Sequence, residues 1–398
     1  MKIAVITGKF PARSETFVKE HILGLAKRDH KVNVISCGVG ESISFSEVKE
    51  IDLIGVRRFN IPCFGKNRIC NFIRILATTI RHLKMVQYWF PKYPLSRSEI
   101  FWSRSVWEKI QYINPDVIHI HLGIRAASLV RYKASRKAIV TWHGYDANCL
   151  PNKRGDNMYR ELFQTSLQHT VGSAFMQKRL EYLGASSEKI SKISMGIDLN
   201  YFAYKERLNI PFKPLRIISV GRLEEVKGHT FLIQAVIELL DKGEEIELRI
   251  IGDGSLKNQL SMQAAASQYS SAIQLLGAKK SSEVLTELYA ANLFCLTGVA
   301  AVSGIESQGV VFAEAQATGL PVVGSSIGGV PDSLIAGKTG LLCPPGDVPA
   351  IKRAIRFFIK DREAISAFGR QGRAFVESKF SLGMMLDSFE SVYQSINN

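Results

Sequence analysis

The stretch Glu306-Ser-Gln-Gly309-Val-Val-Phe-Ala-Glu314, followed by Ala315-Gln-Ala-Thr-Gly319-Leu-Pro321-Val-Val323, decides how the second half of this chain is read. The apolar run Val310 to Phe312 begins a helix that Gly319 and Pro321 terminate. Gly309, Val310 and Val311 then stand at the helix N-terminus, where unpaired N–H groups and the positive end of the dipole favour an anion. Glu306 falls just outside, on a loop after a strand. Glu314, about two turns further on, can accept hydrogen bonds from vicinal hydroxyls through its two oxygens. Carboxylates around an anion site suit a ligand that is both anionic and rich in hydroxyls, as a sugar nucleotide is. The spacing alone equally describes two solvated glutamates at a helix start, where acidic side chains are stabilised anyway.

Outward from this stretch, short β-branched runs alternate with amphipathic segments, the pattern of parallel sheets covered by helices. Strands are expected at Ile3 to Thr7, Val32 to Ser36, Val117 to His121, Ala138 to His143, His169 to Val171 and Ile190 to Ser194. A second set is expected at Arg216 to Val220, Glu247 to Ile251, Ile273 to Leu276, Leu293 to Leu296 and Val322 to Gly324. The periodic pattern lapses between Asp198 and Pro214, which places a domain boundary there. The expected fold is α/β with two Rossmann-like, doubly wound units whose strand carboxyl ends face a shared ligand cleft.

At 398 residues the chain exceeds what one core usually serves, and a 46% hydrophobic content with mean hydropathy +0.04 indicates a globular protein. No apolar run is long enough to span a bilayer, and the opening Met1-Lys-Ile-Ala-Val-Ile-Thr-Gly8 is too short for a signal peptide, so a cytosolic location is expected. Cys37, Cys63, Cys70, Cys149, Cys295 and Cys343 lack metal or redox spacing and are expected to be free thiols. The net charge of +15 lies wholly in residues 1–200, with 31 basic against 16 acidic side chains; the remainder carries 20 of each. Val56 to Ser98 holds nine basic residues, from Arg57 to Arg97, and no acidic one, interleaved with apolar and aromatic side chains. Such a segment suits an anionic membrane surface, each cation contributing about 1 kcal/mol; a core-facing helix with a solvated basic face is the alternative. No nucleic-acid-binding module is recognisable, so no nucleic-acid partner is expected.

Ser219-Val-Gly221-Arg222-Leu-Glu-Glu-Val-Lys227-Gly228 runs from a strand into a helix, and its two cations can converge on a departing diphosphate. Ile250-Ile-Gly252-Asp253-Gly254 is a tight turn that lets backbone approach a ligand closely. Leu275-Leu-Gly277-Ala278-Lys279 ends the next strand, where main-chain groups can pair with the edge of a base. In the first half, Gly8-Lys9-Phe10-Pro11-Ala-Arg13-Ser14-Glu15 joins strand one to a helix, with Ser14 a suitable N-cap. His119-Ile-His121 and Trp142-His143-Gly144-Tyr145-Asp146 stand at strand carboxyl ends, and His143 beside a glycine and an aspartate reads as functional.

Together the glutamate pair with its Gly-Leu-Pro tail, Gly-Arg-x4-Lys-Gly, Gly-Asp-Gly and Met195-Gly196-Ile197-Asp198 resemble family 4 of the retaining, nucleotide-sugar-dependent glycosyltransferases with the GT-B fold. The Phe-Pro-x-x-Ser-Glu-Thr-Phe start and Trp-His-Gly-Tyr-Asp resemble the branch that builds bacterial exopolysaccharides of the colanic-acid type. The resemblance spans nearly the whole chain. It implies an acceptor-binding domain over 1–197, a donor domain over 198–380 and a terminal helix near 381–398 returning to the first domain. It implies that Arg222 and Lys227 hold the donor diphosphate with the Val310 and Val311 backbone, that Glu306 and His143 meet the transferred sugar and that Glu314 takes the ribose. Lys9-Phe10-Pro11 replaces the Gly-Gly pair usual in that loop.

The implied reaction moves a hexose from a UDP- or GDP-sugar to a polyprenyl-diphosphate-linked glycan at the inner face of the plasma membrane, with no metal or other cofactor, and there is no Asp-x-Asp here. A sugar-nucleotide epimerase or hydrolase is the near alternative. A non-enzymatic nucleotide or polysaccharide binder is another. A dinucleotide oxidoreductase is less suited, lacking G-x-G-x-x-G after strand one.

Overall fold

A computed structural model describes residues 1–12, 16–38, 55–61, 97–132, 137–207 and 213–397. Ser14 and Glu15, and most of the basic stretch between Arg58 and Arg97, lie outside the described residues. The chain forms two compact units. One comprises Met1–Val171, Gln177–Ile193 and Leu386–Asn398, the other Gly172–Met176 and Ser194–Met385.

The first unit is built on a parallel sheet of β1 (Lys2–Ile6), β2 (Lys31–Ser36), β3 (Arg57–Asn60), β4 (Val117–His121), β5 (Ala138–Trp142), β6 (Gln168–Val171) and β7 (Ile190–Lys192), in the order β3-β2-β1-β4-β5-β6-β7. The second holds β8 (Leu215–Val220), β9 (Ile246–Ile251), β10 (Ile273–Gly277), β11 (Leu293–Leu296), β12 (Val322–Ser325) and β13 (Gly340–Cys343), ordered β10-β9-β8-β11-β12-β13. Every pairing is parallel. The central strands β1, β4, β5, β11 and β12 are buried almost throughout, which explains their continuous apolar runs: helices cover both faces.

Two edge strands, β3 and β13, escape sequence reading. Arg57-Arg-Phe-Asn60 is polar and partly exposed, and β13 is only Gly340-Leu-Leu-Cys343. The polar side chains of β3 carry no apolar signal, and the apolar run of β13 is too brief to stand out between its turns.

Strand order reverses at β1/β4 in one sheet and at β8/β11 in the other. The carboxyl ends of strands flanking such a reversal leave a crevice. The loops after β1, β4, β8 and β11 are therefore where ligand groups should be sought.

In the first unit the last helix turns return to the sheet. Gly24 is so close to Leu386 that an added Cβ would lie 2.6 Å from a Leu386 methyl. Arg28 pairs with Asp387 and Glu390, and His30 with Glu390.

Cys149, Cys295 and Cys343 are free. Cys37 is disulfide-bonded, which corrects the expectation of six free thiols; the absence of a C-x-x-C spacing does not report on pairing between distant cysteines.

Candidate active site

In the second unit the loop after β8 carries Arg222 and Lys227 back to Gly228, which opens the helix His229–Leu240 with φ of +66°. A Cβ there would sit 1.9 Å from the Thr297 carbonyl oxygen, so only glycine lets this loop lie against the one after β11. Thr297 Oγ1 donates to the Gly228 carbonyl, and the Val299 N–H to that of Val226.

These contacts bring two residues 79 positions apart together: Lys227 Nζ donates to Glu306 Oε2, with both side chains 15% exposed. Burial pushes the Glu306 pKa up, but Lys227 and Arg222 outweigh it and hold the carboxyl below its usual range. Arg222 is exposed and also lowers Glu224, whose carboxylate is held chiefly by the Ser255 hydroxyl and N–H. The sequence reading gave Lys227 to a phosphate and Glu306 to a sugar separately. Here they neutralise one another, since opposite charges this far out of water are stabilised by pairing.

The peptide Glu306–Gly309 is held by its carbonyls. Gly329 N–H donates to the Glu306 carbonyl (2.8 Å), the Ser173 hydroxyl to that of Ser307 (2.5 Å), and the Ser333 hydroxyl to that of Gln308. The Gln308 side chain, itself buried, accepts from Met195 N–H (3.0 Å) and donates to the Met195 carbonyl (3.3 Å). Gly172 leaves it room: a Cβ there would fall 2.1 Å from Gln308 Oε1.

Gly309 is the left-handed N-cap of the helix Val310–Ala317. Among the described residues the Val310 and Val311 N–H groups carry no hydrogen bond, as expected of a first turn. Glu314 lies on this helix, partly buried, its carboxylate unpartnered among the described residues, and burial pushes its pKa up to about 7. Ser173, Ser333, Gln308 and Met195 were not singled out by spacing. Their contacts join distant segments: Gln308 and Met195 lie in two separate motifs, and Ser173 and Ser333 in neither.

One expectation changes in this unit. The close approach at Gly252 is to its own chain: its Cβ would lie 1.9 Å from the Gly221 carbonyl oxygen, and its N–H is taken by the Gly277 carbonyl. Gly252 therefore shapes the loop after β8 and has no N–H free for a ligand. Lys279, just after β10, has its ammonium paired with Glu283 at 3.3 Å, which leaves its main chain as the part available.

In the first unit Gly8 follows β1 with open space around it, and Lys9 is exposed. Phe10 is buried, its N–H bonded to the Gly38 carbonyl at 2.7 Å. It anchors the loop, since a large apolar side chain gains more from the core than from the loop surface.

The histidines after β4 and β5 stack. His119 and His121 lie 4.4 Å apart at 12°, and His121 and His143 lie 5.1 Å apart at 11°. His121 Nδ1 and His143 Nε2 share a hydrogen bond of 2.8 Å. Asp146 accepts from the N–H groups of Gly123, Gly144 and His143, so it fixes the backbone that carries His143 and leaves the ring alone. Tyr393 Oη bonds His119 Nδ1 (2.6 Å) and His21 Nε2 (3.1 Å), and His119 Nε2 bonds Thr141 Oγ1. Burial lowers the pKa of His143 to about 3, and burial with His143 nearby lowers His21 similarly; burial takes His119 and His121 well down too.

His21, His119 and His121 bring ligand-capable nitrogens within 4.8 Å of one another. An ion needs lone pairs that converge, and the stacked planes of His119 and His121 direct theirs side by side. Both His119 nitrogens are also already hydrogen-bonded, so the group is a poor metal cage.

A parallel-sheet unit with two cations, a clamped carboxylate and an unbonded helix N-terminus, in a chain that also carries a second Rossmann-like unit, defines a GT-B glycosyltransferase. Residues 201–375 match the model for glycosyl transferases group 1, and residues 14–201 that for glycosyltransferase family 4. The chain belongs to family 4 of the glycosyltransferases. It is 27% identical to a candidate colanic acid biosynthesis glycosyltransferase, WcaL, of Salmonella typhimurium, over the whole of both chains. It is 26% identical to the amylovoran biosynthesis glycosyltransferase AmsK of Erwinia amylovora, over 96% of each. Anabaena HepE, solved with UDP-glucose, has the same fold at 16% identity, with a TM-score of 0.75 over 99% of this chain and 100% of that one. Among the described residues no helix is long and apolar enough to cross a membrane.

Proposed function

We propose that this glycosyltransferase is a retaining hexosyltransferase that takes a nucleoside-diphosphate sugar and lengthens a lipid-linked precursor of a bacterial exopolysaccharide, capsule or O-antigen. The observation that carries the reading is the grouping of Lys227, Arg222 and Glu306 with the unbonded N–H groups of Val310 and Val311. On this reading the diphosphate takes both cations and the two N–H groups. Its arrival draws Lys227 toward phosphate and frees Glu306 for hydroxyls of the sugar. Glu314 accepts from the ribose, and His143 contacts the sugar. HepE, with its UDP-glucose, supports a uridine donor, and the names of WcaL and AmsK support an exopolysaccharide product.

The acceptor hydroxyl attacks from the face the diphosphate leaves, so the anomeric configuration is kept. Its proton passes to a departing phosphate oxygen, and fixed cations stabilise the charge that forms there. No metal is assigned a role, since the two cations supply that stabilisation.

We place the protein at the cytoplasmic face of the membrane, its basic segment near Arg57 and Arg58 meeting anionic lipid.

A thermal-shift screen over UDP-, GDP- and ADP-sugars, then turnover on lipid extracts with and without chelator, tests the reading. An α-linked product from an α-linked donor is expected. Inversion, products formed without any acceptor, or loss of turnover on chelation would overturn the corresponding part. Flotation with anionic liposomes, unaffected by salt, would remove the membrane assignment.

A further inference from the structure

We propose that His121 is a positioning residue that fixes the tautomer of His143, so that His143 meets its ligand as a hydrogen-bond donor through Nδ1–H. The inference rests on the reading that His143 contacts the sugar, and deepens it.

His121 Nδ1 and His143 Nε2 lie 2.8 Å apart, so one carries the proton and the other accepts it. The other nitrogen of His121, Nε2, is buried with no partner among the described residues. Burial keeps both rings neutral at physiological pH, so each has one N–H. Two arrangements remain. If His143 donated, the single proton of His121 would sit on Nε2 as a buried N–H with no acceptor. If His121 donates, Nε2 is a bare lone pair. Orphaned buried donors are the rarer and costlier case, so His121 donates, and the proton of His143 is on Nδ1.

The surroundings hold this arrangement. His121 is clamped by stacking on His119, which Tyr393 and Thr141 fix in turn. Phe17 packs on His143 at 4.8 Å, and Asp146 holds its backbone N–H. His143 is partly exposed, and its Nδ1 has no hydrogen bond among the described residues. That N–H is left for an oxygen of the ligand. Held as a donor, His143 takes no proton from the acceptor hydroxyl, which agrees with the proton leaving on phosphate.

The test is nitrogen-15 NMR of the full chain labelled at histidine, with kinetics of three variants. In the wild type His143 should show a protonated Nδ1 and an unprotonated Nε2. His121→Leu should mix the two tautomers and lower kcat on the order of tenfold, the worth of one hydrogen bond, while donor KM stays close to wild type. His121→Asn, whose amide N–H can occupy the place of Nδ1, should restore both the tautomer and most of kcat. A proton on His143 Nε2 in the wild type, or His121→Leu turning over normally, overturns the proposal. His143→Ala with unchanged turnover would instead overturn the sugar-contact reading, leaving the tautomer measurement intact.

Discussion

Replacing Lys227 with methionine tests the centre of the donor half-site. The ammonium contacts Glu306 where each side chain is 15% exposed. At an effective dielectric of about 20, opposite charges in contact are worth roughly 4 kcal/mol, and breaking a buried pair costs about 3–5 kcal/mol because the survivor stays uncompensated. Arg222 also acts on Glu306 and retains part of that compensation, so the expected loss is about 2–3 kcal/mol at pH 7. The sign follows from linkage. Glu306 is held below its unfolded pKa of about 4.3, so its contribution is present above that pH and is lost as pH falls through the folded value. In Lys227→Met the penalty should therefore be largest at neutral pH and shrink toward pH 4, where the glutamate protonates. Lys227→Met/Glu306→Gln, with both charges gone, should recover most of the stability and none of the turnover. Urea denaturation followed by circular dichroism, in parallel with donor calorimetry, reads both. A single variant as stable as wild type, or a double variant no more stable than the single, would refute the argument from burial.

Three further outcomes are expected. Glu314, raised to about 7 by burial, should bind the ribose better once ionised, so donor affinity should increase as pH rises through 7, and Glu314→Gln should abolish that dependence when measured by calorimetry at pH 6 and 8. The buried rings of His21, His119, His121 and His143 stay neutral where an unfolded histidine takes up a proton below about 6.5; the first unit should lose up to roughly 5 kcal/mol per pH unit below that point, read by the fluorescence of Trp102, Trp107 and Trp142, and a flat profile to pH 4.5 would count against it. Gln308→Leu leaves the buried N–H and carbonyl of Met195 unpaired, so it should cost about 2–4 kcal/mol of stability and lower kcat through the Glu306 loop; wild-type urea stability would show the clamp to be idle.

The fold was legible where helices cover both faces of a strand, because that leaves an uninterrupted apolar run, as in Ile3 to Ile6 and Phe294 to Leu296. It was not legible at Arg57–Asn60, which is polar and partly exposed, or at Gly340–Cys343, where the apolar run is brief. The glutamate spacing revealed the helix start at Gly309, since capping is a local matter. The pairing of Lys227 with Glu306 and the Gln308 clamp on Met195 join positions 79 and 113 apart, and no local pattern records such distances. The burial of Phe10 was hidden for a related reason: its N–H meets Gly38, 28 positions on. His121 and His143 were singled out from their place at strand ends, but Tyr393, 274 positions beyond His119, is what holds the His119 ring on which His121 stacks.

That separation bears on how the molecule is made. A ribosome releases the chain from the amino end, and the first unit lacks Leu386–Asn398 until those residues have followed Met385 out, whereas the second has all its residues once Met385 has emerged. The nascent first unit therefore waits with His21 and His119 deprived of the Tyr393 hydroxyl while its neighbour is already complete in sequence. Nor can either unit be encoded by one uninterrupted stretch of gene. A fragment starting at Ser194 omits Ser173, and with it the hydroxyl that holds the Ser307 carbonyl, so splitting this enzyme into separately expressed halves requires a permuted chain.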